Sequence, residues 1–579
     1  MKRRTKWVLA AGVTAVAVGA AAVGGLALLL RGPASGGSSL FGGDSYLDLS
    51  LGGDLPEAPA SDFGSLFERR PTSLRTYVES LDRAASDPKI RAVVMRVGML
   101  SDAGWGKVQE LRGALLRFRK SGKPVYGYIE FCGNKEYYLA TACSKIYALP
   151  TAILQVSGLA AEVTFFRNTL EKLGVEAQFE GVGKYKNAPN TFTESSFTGP
   201  HREQMNALLD SLFSQYVDAI GKGRSDGKGR SKTRQEVEAL IDAGPYDGPE
   251  ALKVGLVDRL IYADEIEPEL RGASRLTPVR YVRSARGLTF DRRPKIALVY
   301  AVGEIVPGES QSSSVGGEMA GSDTVSAALR SARTDEDIKA IVFRVDSPGG
   351  FGPAADVIRR EVQLAAKVKP VVISMGDLAA SGGYYVTIGS SAIVAQPGTI
   401  TGSIGVFSGK FSARGLYDKL GVTKEILTRG AHADLFTSYR PWSEEERLKI
   451  RTQNVAFYQD FVRKVASGRG KSYDEIDAIA QGRVWTGADA LERGLVDRLG
   501  GMEDALSIAK EKARIARSQD VSLVVLPARK GFFDMLWQRQ EEEALERALP
   551  LDMRSLLQWA RSSSWSGPMV RVPFEVRIR

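Results

Sequence analysis

The sequence predicts an α/β protein: two tandem copies of one parallel-sheet unit behind an N-terminal transmembrane helix. Three observations predict it. Segments recur in one order at a nearly constant offset, each copy alternates short β-branched runs with helical patterns, and an uncharged apolar run follows a basic N-terminus.

That run, Val8 to Leu30, is the first element. As a helix rising about 1.5 Å per residue it is long enough for a hydrocarbon core of ~30 Å. Secretory signal peptides have a shorter apolar region, roughly 7–15 residues, so an uncleaved signal anchor is expected. Lys2, Arg3, Arg4 and Lys6 precede the run and hold the N-terminus in the cytoplasm, which puts everything after Arg31 across the membrane. Residues 1–30 are read as cytoplasmic N-terminus and anchor, and 31–44 (RGPASGGSSLFGGD) as a Gly/Ser linker.

The duplication is read by self-comparison. Lys89–Val97 (KIRAVVMRV) matches Asp337–Val345 (DIKAIVFRV), IYALPTAILQVSGL matches IVAQPGTITGSIGV, and Glu171–Val175 (EKLGV) matches Asp418–Val422 (DKLGV). GLVDRL occurs at Gly255–Leu260 and again at Gly494–Leu499. The offset is 247 or 248 through most of this and 239 at the last pair, so a single gap intervenes. Ile338–Val345 and Val371–Ser374 read as buried strands with a helix, Ala354–Val368, between them, and that alternation implies a mainly parallel sheet covered by helices. The copies run from about Ser45 to Ala263 and from about Pro294 to Leu506, giving an N-terminal repeat at 45–293 and a C-terminal repeat at 294–519. Residues 520–579 form an extension with no counterpart in copy one, and its amphipathic Trp537–Leu556 stretch is expected to pack on the core, with resting against the membrane as the alternative.

Composition narrows the chemistry. A chain that is 43% apolar and 25% charged builds real cores. Cys132 and Cys143 lack zinc or redox spacing and read as two small buried residues. With only His201 and His432 present, a histidine metal cluster is excluded, and a Ser-His-Asp triad has just these two to draw on. The net charge of +10 owes half to Lys2, Arg3, Arg4, Lys6 and Arg31, and no basic stripe marks a nucleic-acid partner. No metal or cofactor is expected.

Copy two carries two glycine-rich turns at strand ends. Arg344-Val345-Asp346-Ser347-Pro348-Gly349-Gly350 ends one strand, and backbone N–H groups are exposed where glycine permits close approach. Met375-Gly376-Asp377-Leu378-Ala379-Ala380-Ser381-Gly382-Gly383-Tyr384-Tyr385 ends the next, with an unhindered serine at a strand-to-helix turn. The N–H groups of Gly350 and Gly382 are candidates to converge on an oxyanion beside Ser381, with Gly349 an alternative to Gly350. A plain tight turn explains the Ser-Gly-Gly equally well on its own. The duplication changes that balance, because copy one has Asn134-Lys135-Glu136 where copy two has Ser381-Gly382-Gly383. Conversely, copy one carries Gly183-Lys184-Tyr185-Lys186-Asn187-Ala188, and Ala433 stands opposite Lys186 in copy two. A candidate nucleophile in one copy and a candidate lysine base in the other point to a composite site. Lys184 and Lys186 are not separable by their residues alone.

The set SPGG, MGDLAASGGYY and TGSIGVF, with KYKNA in a preceding copy, resembles the long form of the signal peptide peptidase family from the anchor to about Gly501. The resemblance implies a Clp/crotonase fold and a membrane-anchored serine peptidase with a Ser/Lys dyad. It implies Ser381 as nucleophile, Lys186 as general base and Ser403 as the serine that orients the lysine. Asn187 stands where the family has a serine. It further implies cleaved signal peptides and other short hydrophobic peptides as substrates, work on the non-cytoplasmic side of a bacterial inner membrane, and a homo-oligomer, with a tetramer suspected. A crotonase-type acyl-CoA enzyme and a catalytically inactive scaffold are the competing readings.

Overall fold

The structure, a computed structural model, describes residues 43–57, 71–224, 231–285, 292–313, 317–527, 569–571 and 577–578. Among these no helix is long and apolar enough to cross a membrane. The expected span Val8–Leu30 and the stretch Trp537–Leu556 lie outside the described residues.

Repeat one builds β1 (Ser45–Gly53), α1 (Leu74–Ser86), β2 (Ile90–Leu100), α2 (Trp105–Arg119), β3 (Val125–Cys132), α3 (Asn134–Ala140), β4 (Lys145–Leu154), β5 (Glu176–Val182) and the long α4 (Gly199–Gly223). Repeat two follows with β6 (Lys295–Val302), α5 (Ser322–Thr334), β7 (Ile338–Ser347), α6 (Gly352–Ala366), β8 (Val371–Ala380), α7 (Gly382–Tyr385), β9 (Ile400–Gly402), β10 (Val406–Ser412) and α8 (Glu444–Arg469). The order β4-β3-β2-β1 of the first sheet is parallel throughout, and β8-β7-β6 repeats it in the second. This is a mixed α/β chain with two repeated sheets.

Burial on both sheet faces explains the near-continuous apolar strands. Successive side chains of a strand point to opposite faces. Along β6, Ala297 and Val299 enter one core with Ile341, Phe343 and the Ile358 and Val362 side of α6. Their neighbours Ile296 and Leu298 enter another core with Val342, Val372 and Leu506. Each repeat is closed at its edge by a late short strand: Ser274–Leu276 pairs β1, and Ser522–Leu526 pairs β6. Ser522–Leu526 lies beyond the expected limit of repeat two at 519 and pairs as Ser274–Leu276 does in repeat one; a strand this short carries little periodicity.

A third sheet joins the repeats. Strand β10 of repeat two pairs antiparallel with β5 of repeat one, from Val406 opposite Val182 to Ser412 opposite Glu176. Gly409 has no side chain where the ring of Phe179 crosses it. The same sheet contains Gly349–Phe351 and Met569–Arg571.

Candidate active site

The β5–β10 register places two turns together. The chain leaves β5 at Val182 into Gly183–Ala188, and reaches β10 through Gly402-Ser403-Ile404-Gly405. Lys186 thus comes from repeat one to a turn of repeat two. Its Nζ donates to Ser381 Oγ (2.7 Å), Ser403 Oγ (3.0 Å) and the Ser403 carbonyl (3.1 Å). Those three acceptors match the three donors of an ammonium. Ser381 and Ser403 are fully buried, and Lys186 is 5% exposed. Desolvation holds the Lys186 amine well below its ordinary pKa.

The two lysines that the residues alone left open are now distinct. Lys184 is exposed, with its Nζ over the Tyr185 ring at 4.6 Å. Lys186 is inserted, because Tyr185 N–H donates to the Gln481 carbonyl (2.8 Å) and fixes the loop. Gly405 and Gly482 make the slot: a Cβ on Gly405 meets Lys186 Cδ at 3.2 Å, and one on Gly482 meets Lys186 Cβ at 2.6 Å.

Backbone strain concentrates here. Among the described residues, five other than glycine have positive φ, and Ser381 (56°), Ser403 (52°) and Gln481 (51°) are three of them. Such conformations cost about 1–3 kcal/mol each and persist where the surroundings enforce them. Ser381 N–H donates to the Gly402 carbonyl (2.8 Å) and Ser403 N–H to the Arg483 carbonyl (2.7 Å), which hold both serines in place. Ser381 caps α7, so Gly382 begins a helix whose first N–H groups have no intrahelical acceptor. Gly383 packs on the end of β7: a Cβ there meets the Ser347 carbonyl at 2.5 Å. Gly349 N–H donates to Ser347 Oγ (3.1 Å), and Gly350 lies against the Ile305 backbone, where a Cβ clashes.

Copy one has the same frame filled differently. Asn134, opposite Ser381, accepts from Ser157 and Gly158 N–H and donates to the Gly158 carbonyl. Glu136 accepts the N–H groups of Leu100 and Gly133, closing the turn that corresponds to the SPGG turn. The histidines lie elsewhere: His201 is buried against Phe165 and Phe197, and His432 faces Glu445 and Glu446. Cys132 and Cys143 are buried free thiols, and burial pushes Cys143 up to about 12.

Sequence reasoning missed the support beneath the two glycine turns. Fully buried Arg344 donates to both oxygens of Glu57 (2.8 and 3.0 Å) and lies 2.9 Å from Glu110. Lys107 lies 3.0 Å from Asp346 and 3.7 Å from Asp377. Glu57, Lys107 and Glu110 belong to repeat one, whereas Arg344, Asp346 and Asp377 belong to repeat two. Asp377 also caps α2 from outside, accepting Gly104 N–H and Lys107 N–H at 2.7 Å each. Asp346 and Asp377 stand within the quoted turn segments, but their partners are distant in sequence and left no signal.

A buried serine on a strained turn, touching a desolvated lysine and no histidine, has the form of a serine hydrolase working without an imidazole. The sequence profile of Peptidase family S49 matches residues 117–277 and 363–516, more than half of the chain. The chain is 38% identical over 495 residues to the chloroplastic serine protease SPPA of Arabidopsis thaliana, covering 83% of this chain and 71% of that protein. It is 32% identical over 464 residues to Protease 4 of Salmonella typhi, with coverage of 78% and 74%. Protease 4 of Haemophilus influenzae is 30% identical over 460 residues, with coverage of 77% and 74%. The chain belongs to peptidase family S49, as the resemblance to signal peptide peptidases implied. It is a serine peptidase, which removes the acyl-CoA and inactive-scaffold readings.

Proposed function

We propose that this chain is a membrane-anchored endopeptidase of two Clp/crotonase-like repeats, in which Ser381 is the nucleophile and Lys186 the general base. The observation that carries the reading is the 2.7 Å contact between Lys186 Nζ and Ser381 Oγ inside a desolvated site. A neutral amine keeps two N–H groups on Ser403 and turns its lone pair to the Ser381 hydroxyl; this is the orienting role of Ser403. Ser381 Oγ attacks the peptide carbonyl while Lys186 takes its proton. The carbonyl oxygen becomes an oxyanion held by Gly350 and Gly382 N–H groups. The engagement of Gly349 N–H with Ser347 favours Gly350 over Gly349. The tetrahedral intermediate collapses, the C–N bond breaks, and Lys186 passes the proton to the leaving amine. Water, deprotonated by the same lysine, then releases the acyl group and restores Ser381.

Short hydrophobic chains, cleaved signal peptides among them, suit a site walled by Phe179, Phe351 and Phe407 and tethered by the Val8–Leu30 run. That run and its basic flank support work on the non-cytoplasmic side of a bacterial inner membrane.

Homo-oligomerisation is supported by the repeat itself. The counterpart of β5 in repeat two is 423–429, which forms no strand and leaves Ile426 and Leu427 exposed. The repeat equivalence gives it the edge at 159–165 of a second copy, the counterpart of β10. In this chain that edge carries only Ala161–Glu162, paired with Arg577–Ile578.

Ser381→Ala and Lys186→Ala are expected to lower hydrolysis of an apolar peptide by at least ~10³-fold with assembly intact, while Lys184→Ala keeps it. Turnover retained in Ser381→Ala ends the peptidase mechanism; loss in Lys184→Ala alone identifies the other lysine as base.

A further inference from the structure

The lysine slot has an anchor of its own. Gln481 is left-handed (φ 51°) without being glycine, and Gly482 after it is left-handed as well (75°). Gly183, at the start of the Lys186 loop, lies on the Gln481 carbonyl, where an added Cβ falls 2.6 Å from the oxygen. The same carbonyl accepts Tyr185 N–H, and Gly482 N–H donates to the carbonyl of Ile404, the residue after Ser403 (2.8 Å each). Gln481 and Gly482 thus join the loop that carries the base to the turn that carries its orienting serine.

What holds Gln481 in this conformation comes from two helices. Tyr458 of α8 is 5% exposed and donates its hydroxyl to Asp477 Oδ1, on the short helix Tyr473–Ile479. The phenol oxygen accepts Gln481 N–H (3.2 Å) and Gln481 Nε2–H (3.0 Å), and Nε2 donates as well to Asp477 Oδ1 (2.9 Å). The hydroxyl therefore uses its one donor and both lone pairs. Burial and the Asp477 carboxylate keep the phenol protonated. A bare ring would fill this part of the core equally well. The hydroxyl adds hydrogen bonds that converge on a residue whose strained backbone persists only where its surroundings enforce it.

We propose that Tyr458 and Asp477 are positioning residues for the reaction: they hold Gln481 left-handed, and Gln481 holds the loop that inserts Lys186 beside Ser381. The inference deepens the proposed function and rests on Lys186 as the base. Both residues act through Gln481 rather than on the reacting atoms. Without the hydroxyl, Gln481 relaxes toward negative φ, its carbonyl turns from Tyr185 N–H, and the slot opens to water. Burial alone depresses the Lys186 amine, so hydration returns it toward its ordinary value.

The test uses full-length chains and an apolar peptide. Tyr458→Phe keeps the ring and is expected to lower kcat at least about tenfold with KM within about twofold. The acid limb of its rate profile is expected to move to higher pH, because the neutral amine is the active form. Fully buried Tyr137 of repeat one, which donates to the Leu256 carbonyl (2.8 Å), supplies the control. Tyr137→Phe loses a phenol of the same kind and should keep both kcat and the limb. Asp477→Ala, at a half-buried position, is expected to reproduce the Tyr458→Phe signature. Glycine takes the left-handed conformation without strain. In a Gln481→Gly background, Tyr458→Phe is therefore expected to change kcat by less than about threefold. Unchanged kcat and an unmoved limb in folded Tyr458→Phe, with Lys186→Ala inactive, overturn the proposal and leave the base in place. The full loss persisting in Gln481→Gly also overturns it, since Tyr458 then acts by another route. Loss in Tyr458→Phe beside turnover retained in Lys186→Ala overturns it through its premise, by refuting Lys186 as the base.

Discussion

Lys107 Nζ lies 3.0 Å from Asp346 Oδ2, a contact that joins α2 of repeat one to the strand leading into the SPGG turn of repeat two. Burial pulls the Lys107 ammonium down, but Asp346, Asp377 and Glu57 outweigh that and leave its pKa above the ordinary value. The cluster has two cations, Arg344 and Lys107, for four carboxylates, and burial pushes Glu57 up to about 7 and Asp377 upward. Lys107→Met leaves Asp346 and Asp377 without their shared cation. Each carboxylate also has a structural task, since Asp346 accepts Leu378 N–H and Asp377 caps α2. The expected loss is about 3–5 kcal/mol of unfolding free energy, read by urea titration, with Lys107→Arg recovering part of it. A change below about 1 kcal/mol would contradict a buried, interdependent cluster.

The Lys186 titration fixes the shape of the pH profile. Desolvation lowers its pKa in the folded chain, and the neutral amine is the active form. The rate is therefore expected to rise with pH through the folded pKa and level off below the ordinary lysine value of about 10.4. Stability follows the same sign. Between the folded and unfolded pKa values the unfolded chain binds more protons, so stability rises with pH across that window. Lys186→Met, which removes the charge, should raise the melting temperature most at and below the folded pKa and least near pH 10. An acid limb centred at about 10.4 is incompatible with a desolvated base.

His201 is expected to take no part in proton transfer. It is 1% exposed, burial pushes its pKa down to about 4, and neither ring nitrogen has a hydrogen-bond partner among the described residues. Phe197 meets its ring at 4.8 Å. Replacing an unsatisfied buried polar group by an apolar one of similar shape is neutral or stabilising. His201→Leu should keep kcat/KM within about threefold and melt no lower than the parent. A large loss of kcat with an altered pH profile would assign the histidine a chemical role.

The duplication was legible because both copies keep the same strand and helix segments, and the candidate site could be proposed because each copy lacks what the other carries. Ser381 against Asn134 and Lys186 against Ala433 are contrasts within one chain. Choosing Lys186 over Lys184 was not possible from residues, since the choice depends on Tyr185 N–H meeting Gln481, almost three hundred residues away. The ion cluster was invisible for the same reason. Arg344, Asp346 and Asp377 stand in the turn segments, but Glu57, Lys107 and Glu110 come from a repeat whose own turn is closed by Glu136. The strands at 522–526 and Met569–Arg571 were missed because five and three residues give too short a pattern.

Gly482 gives the sharpest test that the lysine slot, and not the lysine alone, sets activity. Its φ is 75°, and an added Cβ falls 2.6 Å from Lys186 N and Cβ. Gly470 is a matched control, with φ of 62° at the end of α8 and nothing within 4 Å of an added Cβ. Both Gly→Ala changes incur the left-handed penalty of about 1–2 kcal/mol, but only Gly482→Ala collides with the base. A shift of about 1 Å in a reacting group costs on the order of 10²-fold in rate. Gly482→Ala should therefore lose about 10²-fold in kcat with KM little changed, while Gly470→Ala loses stability and keeps kcat. Equal kcat in the two variants, measured well below their melting temperatures, would mean that the slot does not position Lys186.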